Sequence, residues 1–217
     1  MHKHELTYHH DSARLFERIA HQPWAIFLDS GQMLNPATGE PGSQYGRYDI
    51  IVAEPFITLV TQGETTTITQ EGKSEASRED PFLVLKEILD QYHAPQVDLP
   101  LTGGALGYFA YDLARRTEKL PSIAQNDIDT PQMMLGIYDW AVVVDHREQC
   151  SHLISHAWIQ KRMKTGIGCK AYLISLSIQL MLASKSGRQS NLTYPRRNTA
   201  KLSLKLRLTL MMVIAIK

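Results

Sequence analysis

Apolar residues in this chain fall into short blocks separated by glycine, proline and polar turns. Trp24–Leu28 is one such block and reads as a buried strand closed by Asp29-Ser30-Gly31. Ile50–Ala53 is a second strand. After Pro55, Phe56–Thr61 continues as β, and Glu64–Thr69 alternates, so the two form a hairpin about Gln62-Gly63. Asp80 followed by Pro81 marks a helix start, with Phe82, Leu85, Ile88 and Leu89 on one face and an end near Tyr92. Ala105–Ala110 predicts a strand that leads into a turn or short helix at Tyr111–Arg116. Met133–Asp145 reads as one long β segment, and Cys150–Ser155 pairs back on it. Near the N-terminus, Asp11 or Ser12 caps a short helix whose apolar face is Leu15 and Ile19. Met1–His10, Gln32–Ser43, Glu71–Glu79 and Leu120–Pro131 read as a loose tail and three irregular loops.

The pattern gives an α+β fold in which antiparallel strands dominate and helices flank them. It lacks the strand–helix alternation of a doubly wound nucleotide fold. The glycines of GGALGYFAYDLARR, Gly103–Arg116, match neither G-x-G-x-x-G nor the P-loop pattern, so they indicate close backbone packing rather than a phosphate cradle.

Charge alters the picture. All 22 acidic residues lie at or before Glu148, while the 23 Lys and Arg divide 11 and 12 between residues 1–156 and 157–217. The body is therefore −11 and the tail +12. This divides the chain into an acidic region, 1–156, and an irregular or disordered basic tail, 157–217. Such asymmetry alone would suggest an arm for nucleic acid or an anionic membrane. The reading frame, considered below, gives the preferred explanation, in which neither is a partner.

Two cysteines, Cys150 and Cys169, make no disulfide framework or metal pair, and a reducing cytoplasmic setting follows by default. No apolar run has the length of a membrane span. No nucleophile–base pair, H-E-x-x-H motif or carboxylate cluster at metal spacing is present, so no catalytic or metal residue is assigned. The histidines His2, His4, His9 and His10 have no cysteine or carboxylate at ligand spacing. Asp112, Asp139 and Asp145 read as strand-end turn residues, and Arg115 and Arg116 as a solvated face. Ser30, Tyr45 and Arg47 flank loops beside aromatic strands, where a small-ligand pocket could form.

The blocks PWAIFLDSG, YGRYDIIVAEP, DPFLVLKEILD, GGALGYFAYDLARR and LPSIAQNDIDTPQMMLGIYDWAVVVDH occur in this order. Together, over about Phe16–His156, they resemble the N-terminal region of the aminodeoxychorismate synthase component I family, with anthranilate synthase component I as the near relative. The resemblance implies two packed antiparallel sheets with flanking helices. It also implies a tryptophan-holding pocket, with Leu28, Ser30, Tyr45, Gly46, Arg47 and Tyr48 at the matching positions; the Gln32–Ser43 loop looks longer than the family's. The complete family aminates chorismate for p-aminobenzoate and folate synthesis. It uses Mg²⁺ and ammonia delivered from glutamine by a partner amidotransferase subunit. The resemblance places the catalytic Lys, the general acid/base and the Mg²⁺-binding glutamates in a C-terminal half beyond the matched blocks. The expectation is a truncated component I, without its own cofactor and inactive alone.

The resemblance stops at His156, where the acids also stop. Read one nucleotide earlier, the codons of Met211-Met212-Val213 force Asp-Gly, and those following permit DGDCYQVN, similar to the block that opens the family's catalytic half. Lys205–Thr209 and Thr165–Lys170 permit further family-like residues in the same frame. A frameshift near codon 156 accounts for these matches and for the absence of acids together.

Overall fold

The computed structural model describes residues 1–31, 46–92, 97–116, 118–119, 129–156, 158 and 211–216. The first sheet has the order β1 (His2–Leu6), β10 (Cys150–Ser155), β9 (Trp140–Asp145), β3 (Tyr48–Val52), β2 (Ile26–Leu28). The second has β11 (Met211–Ile216), β7 (Gly104–Ala110), β8 (Met133–Tyr138), β4 (Ile57–Gln62), β5 (Thr65–Gln70), β6 (Lys73–Ser77). All neighbouring strands are antiparallel.

Strand alternation sorts the core into three layers. Ile51, Ala53, Val142 and Val144 of the first sheet pack under Leu15 and Ile19 of the α1 segment (helix proper Ala13–Phe16). The opposite-facing Ile50, Val52, Ala141 and Val143 meet Leu106 and Tyr138 of the second sheet. The far face of the second sheet, with Leu59, Leu135 and Ile137, is covered by α2 (Pro81–Leu89) through Val84, Leu85 and Ile88. The order is helix, sheet, sheet, helix.

The expected segment Met133–Asp145 is two strands. It breaks at Asp139, so that β8 lies in the second sheet and β9 in the first. Hydrophobic patterning cannot reveal this break, because both halves are buried on both faces. Met1–His10 is not loose, since β1 pairs with β10 from His2↔Ser155 to Leu6↔Ser151. Glu71–Glu79 is not all loop: Lys73–Ser77 forms a polar edge strand exposed on both faces, which leaves no apolar alternation to read. Met211–Ile216 departs from the irregular tail, forming a ladder with β7.

The helix at Asp80 starts as read, with the Asp80 carboxylate accepting the Phe82 N–H at 2.7 Å. It ends at Leu89, and the chain turns on to Tyr92. Val84, not Phe82, completes its buried face; Phe82 is 44% exposed and stacks on Phe109 at 5.3 Å. Tyr111–Arg116 is a 3-10 helix. Gly107 carries the close packing expected of the Gly103–Arg116 stretch: a Cβ there would sit 2.0 Å from the Met134 carbonyl oxygen. Gln32–Ser43 and Leu120–Ile128 lie outside the described residues.

Candidate functional site

β2 and β3 pair through Ile26↔Val52, Phe27↔Ile51 and Leu28↔Ile50. This register sets Leu28 and Tyr48 on the inter-sheet face, where both pack against Ile50 and its neighbours. Ser30 lies just past the end of β2, and its N–H donates to Asp49 Oδ1 at 2.7 Å. Gly46 and Arg47 enter β3 from the loop side. Leu28, Ser30, Gly46, Arg47 and Tyr48 are thus gathered at one end of the β2–β3 pair. Tyr45 lies outside the described residues.

Arg47 is committed to Asp145. Its Nη2 donates to Oδ2 at 2.8 Å and its Nε lies 3.2 and 3.1 Å from the two carboxylate oxygens. The Arg47 guanidinium also lies 4.6 Å from the centre of the Tyr48 ring. Asp145 is the turn residue expected from the sequence, accepting the Arg147 and Glu148 N–H groups. Burial would raise its pKa, but the Arg47 side chain and these two amides hold it below the ordinary carboxylate value. The side chain of Arg47 therefore braces the site, and its charge is already matched.

A second carboxylate stands beside the first. Asp49 Oδ2 accepts the Ser12 hydroxyl and lies 2.8 Å from His146 Nε2. His146 Nδ1 is 3.1 Å from the Tyr8 hydroxyl, and the two rings meet edge to face. Burial pushes the Asp49 pKa up, whereas the bonds from Ser12, His146 and the Ser30 amide bring it below its usual value. Sequence reading missed this cluster, since Tyr8, Ser12, Asp49 and His146 have no common spacing. The one available signal was an acid, Asp49, inside an otherwise apolar strand.

The cluster is not a nucleophilic triad. Serine and imidazole both bond the same carboxylate oxygen, so the imidazole is not placed to take the serine proton. Arg115 pairs with Asp112 at 2.8 Å on the surface, and Arg116 donates to the Gly63 carbonyl oxygen. Among the described residues, no three His, Cys, Asp or Glu side chains are placed to hold a metal ion. No helix among them is long and apolar enough to cross a membrane.

The chain is 42% identical over 168 residues to aminodeoxychorismate synthase component 1 of Escherichia coli (strain K12), covering 72% of this chain and 35% of that protein. It is 43% identical over 144 residues to the protein of the same name from Salmonella typhimurium, covering 65% and 30%. Anthranilate synthase alpha subunit 2, chloroplastic, of Arabidopsis thaliana is 36% identical over 135 residues, covering 56% and 22%. No family model matches the chain. Among solved structures, that of anthranilate synthase component I from Streptococcus pneumoniae TIGR4 superposes with a TM-score of 0.51 at 24% identity, covering 70% of this chain and 36% of that one. That likeness concerns the fold: two antiparallel sheets with few helices.

Proposed function

We propose, for a chain whose N-terminal part is that of the aminodeoxychorismate and anthranilate synthase component I proteins, that it supplies the sheet-building region of an aminodeoxychorismate synthase component I. The observation that carries this is the 42% identity over 168 residues to the Escherichia coli protein. In this reading the complete protein aminates chorismate at C4 for p-aminobenzoate and folate synthesis, in the cytoplasm. It does so with Mg²⁺ and with ammonia from a glutamine amidotransferase partner. Among the described residues no three His, Cys, Asp or Glu side chains are grouped to hold a metal ion, and no step is assigned to Mg²⁺ on them. Their own contribution is to build and brace a pocket edge that binds tryptophan through Leu28, Ser30, Tyr45, Gly46, Arg47 and Tyr48.

By itself the chain does not aminate chorismate in this proposal. The buried ionisable groups beside the candidate pocket, Asp49, His146 and Asp145, are already occupied by internal partners. The purified chain with chorismate, Mg²⁺ and ammonium should yield no aminodeoxychorismate, and product at an enzymatic rate would overturn the proposal. The acid-free tail, 157–217, supports the reading of that segment as out of frame. The gene's nucleotide sequence tests it: the frame one nucleotide earlier must continue the family sequence.

The anthranilate synthase reading is the second, favoured by the 36% identity to the Arabidopsis protein. Partnering the chain with a catalytic half of either kind separates them, because only one pairing should restore turnover.

A further inference from the structure

Asp49 is a charge where packing alone would take an apolar residue. Its neighbours on the same side of the chain, Ile51 in β3 and Ala53 just past its end, are fully buried with Leu15 and Ile19 of the α1 segment. The Asp49 and His146 side chains are each only 4% exposed. A buried carboxylate is costly unless donors surround it. Here Ser12, Ser30 and His146 come from three remote parts of the chain to supply them. Tyr8 in turn fixes the imidazole, bonding the ring nitrogen that faces away from Asp49.

The geometry matters because of where Ser30 lies. β2 ends at Leu28, so Ser30 has no ladder to hold it. Its amide is held by Asp49 Oδ1, and the adjacent residue on β3 is Tyr48. The Arg47 carbonyl oxygen, one residue further, accepts the His146 N–H at 2.8 Å. One carboxylate and one histidine thus set the relative positions of Ser30 and of the Arg47–Tyr48 pair.

We infer that Asp49 is the positioning residue of the candidate tryptophan site, with Ser12 and His146 fixing its carboxylate and Tyr8 fixing His146. The inference rests on the reading of Leu28, Ser30 and Gly46–Tyr48 as a ligand-binding edge. Asp49 does not touch the ligand; it holds the Ser30 backbone ready, so less ordering is left for binding to impose.

The test uses the full chain, with tryptophan titrated by calorimetry and Ser30 amide exchange followed by NMR. Asp49→Ala should weaken binding about tenfold, the scale of one lost charge-assisted hydrogen bond. It should also speed exchange at Ser30. His146→Ala should weaken binding by less, and His146→Gln, which keeps a donor near the Nε2 position, should restore it. These two variants keep the carboxylate, so the idea remains testable if Asp49→Ala does not fold. Leu153→Ala, a core truncation in the same layer, should lower stability without changing affinity or Ser30 exchange. If the parent chain binds tryptophan and the Asp49 and His146 variants bind equally well, the inference falls while the site reading stands. If the parent chain does not bind tryptophan, the site reading falls. Ser30 exchange then decides alone: acceleration in Asp49→Ala or His146→Ala beyond that in Leu153→Ala upholds the positioning role, and no acceleration overturns it.

Discussion

Arg47 and Asp145 close the open end of the β3–β9 pair with a fork of hydrogen bonds, the shortest 2.8 Å from Nη2 to Oδ2. The same two residues frame the turn: the Arg47 carbonyl oxygen accepts the His146 N–H, and Asp145 accepts the amides of Arg147 and Glu148. Asp145→Ala should therefore destabilise the chain more than Arg47→Met. The first loses the ion pair and both turn amides, whereas the second loses the pair and the guanidinium's contact with the Tyr48 ring. The double variant should cost less than the two single variants together, because each removes the same interaction. Urea midpoints of the four chains measure this, and additive costs would show that the fork contributes nothing jointly.

Acidification should lower stability in two stages. Burial is the largest cause that lowers the pKa values of His9, His152 and His156 from the ordinary 6.5. The unfolded chain therefore binds these protons first, and stability begins to fall as pH drops below 6.5, down to the folded values. Asp49 and Asp145 are held below 3.8, so their contribution is complete above that pH and is lost as pH falls through their folded values. Thermal midpoints across the range from neutral to strongly acid should show both stages. Asp49→Asn should reduce the more acid one, leaving the contribution of Asp145, and leave the other in place.

Glycine should be required at one position and merely preferred at another. At Gly107 the added methyl would meet backbone atoms, the Met134 carbonyl oxygen at 2.0 Å and Leu135 Cα at 2.9 Å. Strands β7 and β8 would have to part, so Gly107→Ala should cost about 3 kcal/mol or more. Gly63, in the β4–β5 turn, has φ +57° and nothing within 4 Å of an added Cβ. Gly63→Ala should cost only about 1 kcal/mol, from the left-handed backbone alone. Equal costs in urea unfolding would refute the close approach of β7 to β8.

What the sequence made legible follows from what patterning encodes. The hairpin β4–β5, the Asp80-capped helix and the β7 strand all have local signals: alternation, a cap with Pro81, and glycines within an apolar run. The split at Asp139 had none, because the side chains of β8 and β9 are almost all buried and one polar residue between them reads as an interruption, not a change of sheet. The edge strands β1 and β6 are polar by necessity and imitate loops. Of the site, resemblance supplied Leu28, Ser30 and Gly46–Tyr48 as tryptophan-binding positions; in the structure Leu28 pairs with Ile50 and packs in the same inter-sheet cluster as Tyr48. The Asp49 cluster was illegible because its members are up to 138 residues apart and meet only once the first sheet has closed.

Tyr138 links the two sheets through one hydrogen bond as well as by packing. It ends β8 in the second sheet, is fully buried, and donates from its hydroxyl to the Trp24 carbonyl oxygen at 2.8 Å, just ahead of β2 in the first sheet. The Trp24 backbone there has φ +56°, a conformation that a bulky residue keeps only when its surroundings hold it. Tyr138→Phe keeps the ring packing and removes the donor, which leaves a backbone carbonyl oxygen without this partner. The expected cost is about 1–2 kcal/mol, with faster amide exchange near Trp24. Burial also raises the Tyr138 pKa far above the ordinary phenol value, because an ionised ring would lose its hydration inside the inter-sheet layer. Ultraviolet titration of the folded chain should therefore show a phenol that stays protonated well above the ordinary phenol range. Loss of that resistant signal in Tyr138→Phe identifies it. A titration curve unchanged by the substitution would mean that this hydroxyl is not buried between the sheets.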